Sequence, residues 1–133
     1  MYFVLVKWNS NSSNKKNMLT ISKITSTDPV IIKIEGRIDG VTSKQIGTEL
    51  DEIINSGVKN LILDFAGVYY LSSAGIRVFI NVMKRLNSED GQLFFVSLSH
   101  HILEIFKISG LSSVFKMFDT YQDITNILNQ PQF

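Results

Sequence analysis

The sequence contains no cysteine and only two histidines, which stand next to each other as His100 and His101. Without cysteine the chain has no disulfide, no thiol nucleophile and no thiolate metal ligand, and it suits a reducing cytosol. No apolar run approaches the roughly 18 residues that a membrane-spanning helix needs. We therefore expect a cytoplasmic protein with no membrane partner.

An excess of charge of one sign is also missing, since 13 Lys and Arg face 12 Asp and Glu, for a formal net charge of +1. Lys7, Lys15 and Lys16 all precede Met18, and no acidic residue does, so the rest of the chain is slightly acidic. A domain that binds nucleic acid normally carries a basic stripe on its folded part. None is visible, and no direct nucleic-acid partner is expected.

The length of 133 residues and the hydrophobic content of 44% suit one compact domain. The apolar segment 2–6 is too short to be the core of a secretory signal. Residues 9–17 (NSNSSNKKN) have the composition of a polar linker. We therefore predict that residues 1–17 are a flexible tail, or that the start codon is mis-assigned and translation begins at Met18. A single domain is expected over 18–133.

Strand patterns alternate with helical patterns from Met18 onward. Strands are predicted over 19–24, 30–35, 60–65, 92–96 and 114–118. Helices are predicted to begin near Thr42, Ser72, Ser99 and Thr120, and Thr42 and Gln45 have the spacing of a capping box. Helices between strands imply right-handed crossovers. The expected fold class is α/β, with a mostly parallel sheet of about five strands and about four helices.

The most unusual junction is the segment 64–78 (DFAGVYYLSSAGIRV), where a buried strand leads into the second predicted helix. Functional groups in α/β folds gather where strands end and helices begin. Ser72 fits the N-cap and Ser73 the first helical position, where free backbone N–H groups and the helix dipole tolerate an anion. A phosphoryl group on Ser73 would bring about two negative charges to a surface lined by Tyr69 and Tyr70. The simpler interpretation is that both serines only cap the helix.

Three segments in the same order resemble the STAS domain family of bacterial anti-sigma factor antagonists. They are EGRID (35–39), DFAGVYYLSSAGIRVF (64–79) and FKISGLSSVFKMFDTYQDI (106–124). The resemblance implies a STAS fold and a protein that, when unphosphorylated, binds an anti-sigma factor that is also a serine kinase of the histidine-kinase-like ATPase type. That binding frees a sigma factor for transcription, and a phosphatase of the PP2C type reverses the phosphorylation.

The resemblance also implies which residues act. The phosphorylated serine of the family stands two residues before the glycine of the motif, which here is Ser73 before Gly75. Asp39 matches an acidic position near the phosphorylation surface. The family usually has Asp where this chain has Ser72, so a fixed negative charge beside the site is missing. The residues expected to contact the partner are Asp39, Tyr70, Ser72, Ser73 and Arg77.

Other kinds of site have little support in the sequence. The segment 71–75 resembles a nucleophile elbow that lacks its first glycine, and adjacent histidines make a poor metal pair. We predict a binding module that is not an enzyme and has no metal or cofactor. Two alternatives stay open, namely a STAS subunit of a lipid-transport ABC complex (or another STAS module without phosphorylation) and a stand-alone enzyme of flavodoxin-like layout. Arg77, Lys84 and Arg85 form a basic helix edge that is either solvated or a docking strip.

Overall fold

One twisted sheet runs through the computed structural model, which describes residues 3–8 and 18–130. Within these residues the strands are β1 (Phe3–Trp8), β2 (Met18–Lys23), β3 (Val30–Ile38), β4 (Asn60–Leu71), β5 (Gln92–Val96) and β6 (Lys116–Phe118). The helices are α1 (Thr42–Asn55), α2 (Ser73–Asn87), α3 (His100–Ile108) and α4 (Tyr121–Leu128). The strands lie side by side in chain order.

The sheet is antiparallel from β1 to β3 and parallel from β3 to β6. The predicted fold class is therefore confirmed, with the five expected strands as β2 to β6 and the four expected helices. Three strands have different lengths from those predicted, because β3 and β4 run past their predicted ends and β6 is shorter.

The strand β1 was not predicted. It pairs with β2 in a register that joins Phe3 to Lys23 and Trp8 to Met18. Residues 3–8 thus form the first strand of the sheet. The linker predicted over 9–17 lies outside the described residues, so the domain boundary and the start at Met18 stay predictions.

The two faces of the sheet are covered unequally. Apolar side chains of α1, α2 and α3 pack with one face of β2 to β5 into the main core. On the opposite face, Ile124 of α4 packs against Ile62, Phe94 and Val96 in a smaller cluster. Side chains alternate between the faces of a strand, which explains why the neighbours of Ile62 and Phe94 belong to the main core.

A cluster of phenylalanines fixes α2 and α3 on the sheet. Phe65, Phe79, Phe95, Phe106 and Phe115 have ring centroids 5.1–5.7 Å apart, mostly in edge-to-face arrangements. All five are buried. Edge-to-face aromatic contacts add to the free energy of burying such rings. These contacts therefore fix α2 and α3 on the sheet. The first turns of both helices lie at the carboxyl ends of the parallel strands.

Candidate functional site

The second half of β4 is displaced by two bulges before it reaches α2. Its register with β3 shifts once between Lys33 and Glu35 and again between Gly36 and Arg37, and each shift places one extra residue in β4. The first shift requires Gly67, because a Cβ there would lie 2.6 Å from Cγ of Glu35. Bulges of this kind redirect a strand next to functional sites.

Asp64 fixes the first bulge. Its carboxylate is buried, and Oδ1 accepts a hydrogen bond from the backbone N–H of Ala66 at 2.9 Å. Oδ2 accepts one from the hydroxyl of Tyr121, the first residue of α4. Burial and this carboxylate raise the pKa of Tyr121. Asp64 is therefore a structural residue that joins β4 to α4.

The start of α2 is capped as the sequence predicts. Oγ of Ser72 accepts a hydrogen bond from N–H of Gly75 at 3.2 Å, and N–H of Ser72 donates to the carbonyl of Ile38 at 2.9 Å. A Cβ at position 75 would lie 2.6 Å from Cγ2 of Ile38 and 2.8 Å from Cδ1 of Leu71. Gly75 thus lets the first turn of α2 lie directly on the ends of β3 and β4.

Ser73 is the first residue of α2 and is exposed. Unlike the hydroxyl of Ser72, its side chain makes no hydrogen bond to any described residue. The cap thus occupies one hydroxyl and leaves the next one accessible. Ser73 is therefore an accessible hydroxyl at the start of α2.

The start of α1 corrects the predicted capping box of Thr42 and Gln45. The N-cap is Val41, which makes no side-chain cap bond, and the carboxylate of Asp39 accepts instead from N–H of Val41 and of Thr42, both at 2.9 Å. Thr42 is buried and donates its hydroxyl to the carbonyl of Arg37 at 2.7 Å. Oε1 of Gln45 has no partner among the described residues.

Asp39 is therefore a capping carboxylate. Burial would raise its pKa, but hydrogen bonds from Thr42 and Val41 and the charge of Arg37 outweigh burial and hold the pKa below its ordinary value. Asp39 is an anion at neutral pH. It lies beside Ser72, because Ile38 and Leu71 are paired in register and the two chains continue side by side.

Arg37 was missed by the sequence-based site prediction. Its Cζ lies 3.8 Å above the ring of Tyr70, and its Nε lies 3.5 Å from Oδ2 of Asp39. The core residues Ile38 and Leu71 follow Arg37 and Tyr70 in their strands, so this stacked pair lies on the opposite face of the sheet. The signal was present in the EGRID segment, where Arg37 stands two residues before Asp39.

The predicted site residues are thus brought together only in part. Ser72, Ser73 and Arg77 lie on the first turns of α2, and Asp39 lies at the neighbouring start of α1. Tyr70 instead supports Arg37. Two large apolar side chains are exposed near the helix starts, namely Val41 at 48% and Tyr69 at 53%. Exposed apolar side chains therefore accompany the exposed hydroxyl of Ser73 near the ends of β3 and β4.

Other chemistry has little basis at this edge. Among the described residues, no group of three or more His, Cys, Asp and Glu side chains could hold a metal ion. His100 is exposed and lies 3.9 Å from Glu104, one turn further along α3. None of the helices in the described part of the chain combines the length and the apolar character required to cross a bilayer.

Comparisons with known proteins agree with this geometry. A sequence model of the STAS domain matches residues 20–124. The protein BtrV of Bordetella bronchiseptica, named as an anti-sigma factor antagonist, is 34% identical over 97 residues, which are 73% of this chain and 82% of BtrV. The anti-sigma-B factor antagonist of Staphylococcus epidermidis is 29% identical over 96 residues, which are 72% of this chain and 89% of that protein.

The fold is also similar to that of solved structures. The anti-sigma factor antagonist SpoIIAA in its unphosphorylated form aligns with a TM-score of 0.70 and 19% identity, over 86% of this chain and 99% of SpoIIAA. The phosphorylated form of the Bacillus protein aligns with a TM-score of 0.64 and 22% identity, over 84% and 99%. At such identities the similarity is one of fold.

Proposed function

Since the chain belongs to the STAS domain family, we propose that it is an anti-sigma factor antagonist whose binding surface is switched by phosphorylation of Ser73. Relatives named as antagonists cover most of the chain and are themselves mostly covered by it. The observation that carries the proposal is the exposed hydroxyl of Ser73 directly after a side-chain cap that already satisfies the helix start.

The partner in the unphosphorylated state is an anti-sigma factor that is also a serine kinase of the histidine-kinase-like ATPase type. The exposed side chains of Val41 and Tyr69 supply apolar area near the starts of α1 and α2. Burying such side chains contributes roughly 25 cal/mol for each Å² removed from water. Occupation of the anti-sigma factor by this surface frees the sigma factor.

Phosphorylation is a transfer from ATP bound to that kinase. Oγ of Ser73 attacks the γ-phosphorus and loses its proton to a base of the kinase, while the bond to the bridging oxygen breaks and ADP leaves. Dephosphorylation is a separate hydrolysis, in which a PP2C-type phosphatase delivers water to the phosphorus. Ser73 recovers its proton, and inorganic phosphate leaves. Both reactions use the chain as a substrate, so the proposal requires no catalytic residue or cofactor of its own.

The modified surface repels the partner for electrostatic reasons. A phosphoserine carries about two negative charges near neutral pH. It would stand beside the carboxylate of Asp39, which is already an anion there. Like charges pressed into an interface cost several kcal/mol, and every 1.4 kcal/mol or so weakens binding tenfold. The SpoIIAA structures bear the names of an unphosphorylated and a phosphorylated form, which supports the compatibility of this fold with the modification.

The proposal locates the protein in the cytoplasm, where its partners are a kinase and a phosphatase, with no direct contact to nucleic acid or membrane. The slightly acidic composition after Met18 supports the absence of a nucleic-acid surface.

The first test is a mass map of the protein isolated from its native host, before and after phosphatase treatment. The proposal predicts a phosphate-sized increment on the peptide that contains Ser73, and phosphatase should remove it. If Ser73 is unmodified under every growth condition tried, the switch is wrong, and a STAS module without phosphorylation, such as the subunit of a lipid-transport ABC complex, takes its place.

A second test measures binding of purified variants to each histidine-kinase-like ATPase encoded by the host. Ser73→Ala should bind one of them as tightly as the parent does, and Ser73→Asp should bind about a hundredfold more weakly. Ser113→Asp is the matched control, because Ser113 is exposed and precedes β6, which is an edge strand of the sheet. Equal losses for the two aspartates, or no loss for either, would contradict a charge switch at Ser73.

A further inference from the structure

The three arginines of the chain have different surroundings. Arg37 pairs with Asp39 and stacks on Tyr70, and Arg85 pairs with Asp51 at 3.0 Å. Arg77 is exposed and has neither an ion pair nor a hydrogen bond to any side chain in the described ranges. It lies about one turn beyond Ser73 in α2.

Arg77 stands four residues after Ser73 in the same helix. Side chains at this spacing are neighbours on a helix surface, with Cβ atoms about 5–6 Å apart. Both residues are exposed, so a group added to Ser73 and the guanidinium of Arg77 share one solvent-facing stripe. The first turn of α2 has no acidic residue that could compete for the cation.

We propose that Arg77 is the counter-ion of the phosphoryl group on Ser73 and holds it against α2 as a dianion. This inference rests on the proposed phosphorylation of Ser73. A guanidinium is planar and always charged, and it forms two parallel hydrogen bonds with a phosphate more readily than an ammonium does. The modified chain would therefore carry its own phosphate ligand.

The other charged groups near the helix starts do not fill this role. Arg37 is already paired with Asp39 on β3 and its continuation. Lys44 is exposed on the first turn of α1, on a different helix from Ser73. Lys84 shares the exposed stripe of α2 but lies two turns beyond Arg77, which is about 10 Å at a rise of 1.5 Å per residue.

The pairing has a consequence for the switch. An isolated phosphoserine has a second pKa of about 6, so part of it is a monoanion in slightly acid solution. A cation in contact favours the doubly charged form and lowers that pKa. Arg77 would thus keep the phosphate doubly ionised over the range of cytoplasmic pH, which makes release of the partner insensitive to small changes in pH.

The test uses the full chain with phosphoserine installed at position 73 by genetic encoding, so that no kinase is needed. The phosphorus-31 chemical shift is followed as a function of pH for the parent, Arg77→Gln and Lys84→Gln. The two variants remove the same charge from the same helix. Arg77→Gln should raise the pKa of the phosphate by about half a unit, and Lys84→Gln should change it by less than a third of that. Arg77→Lys should keep most of the lowering.

Salt gives an independent readout. A contact between exposed charges is screened at high ionic strength, so the difference between the parent and Arg77→Gln should shrink markedly in 1 M salt, where the Debye length is about 3 Å. Equal pKa values for Arg77→Gln and Lys84→Gln, or a parent value equal to that of a phosphoserine peptide, would overturn the inference. Either result leaves the proposed function standing, and an unmodified Ser73 in the host would overturn that function without changing these pKa values.

Discussion

The helices α1 and α2 follow the neighbouring parallel strands β3 and β4 and start side by side at the carboxyl ends of these strands. The two helix starts are nevertheless capped differently. At α1 a charged side chain, Asp39, accepts hydrogen bonds from two backbone N–H groups. At α2 a neutral side chain, Ser72, accepts one. The hydroxyl residues that open α1 are Thr42 and Ser43, and both are buried.

This difference determines which hydroxyl is accessible to solvent. The hydroxyl of Thr42 donates a hydrogen bond to the carbonyl of Arg37. The hydroxyl of Ser43 donates one to the carbonyl of Gly40 at 3.2 Å. Both are used to close the turn between β3 and α1. The hydroxyl of Ser73 is not used in this way, because the side chain of Ser72 already caps the start of α2. Two helix starts with similar residues thus differ in the accessibility of their hydroxyl groups, because those of α1 are hydrogen-bonded to the backbone.

The largest effect is expected from a methyl group at the glycine of each helix. Gly75→Ala should lower the free energy of unfolding by about 2 kcal/mol, because the new Cβ would overlap Ile38 and Leu71. Gly47→Ala is the matched control in α1. Its Cβ would meet Val78 at an ordinary 3.6 Å, and alanine favours a helix over glycine by up to about 1 kcal/mol. Urea denaturation of both variants measures the difference.

Equal changes in the free energy of unfolding for Gly75→Ala and Gly47→Ala would contradict this difference between the two helix starts. A stabilising Gly75→Ala would mean that α2 does not lie on the strand ends as closely as these distances require. In that case the exposure of Ser73 would have to come from another part of the structure.

The second effect is a dependence of stability on pH at α1. The pKa of Asp39 is below its ordinary value in the folded protein, whereas the unfolded value is about 3.9. The carboxylate therefore stabilises the fold above about pH 4. That contribution is lost as the pH falls through the folded pKa. Asp39→Asn should cost about 1 kcal/mol at pH 7, and the cost should shrink as the pH falls below about 4 and through the folded pKa.

The control for Asp39→Asn is Glu52→Gln, an exposed carboxylate on the same helix. Its removal should change the free energy of unfolding little at any pH, as exposed surface changes usually do. Urea denaturation at several pH values gives both curves. A cost of Asp39→Asn that stays constant down to pH 2 would show that its charge does not cap α1.

The sequence predicts well what depends on local patterns. Ser72, Ser99 and Thr120, near which helices are predicted to begin, each cap a helix through the side chain. Periodic apolar residues also give the order of strands and helices. These features depend on a few adjacent residues, and their chemistry is the same in any fold.

What the sequence does not reveal depends on contacts between distant segments. The capping role of Asp39 rests on how β3 enters α1, and Thr42 with Gln45 has a capping pattern that the buried position of Thr42 overrules. The continuation of β4 beyond Phe65 rests on pairing with β3 through two bulges. Tyr70 reads as a surface residue, but its ring lies under Arg37 of the neighbouring strand.

The smallest effect should come from exchanging the type of cap at α2. Ser72→Asp gives α2 the charged cap that α1 has. A carboxylate accepts the same N–H of Gly75 and interacts favourably with the helix dipole, so the free energy of unfolding should rise by a few tenths of a kcal/mol. Ser72→Ala, which removes the cap, should lower it by about 1 kcal/mol. Thermal unfolding at low salt resolves the three proteins. If Ser72→Asp destabilises the chain, the new charge is repelled by Asp39 more strongly than the helix start attracts it, and the neutral cap at α2 is then the direct consequence of the charged cap at α1.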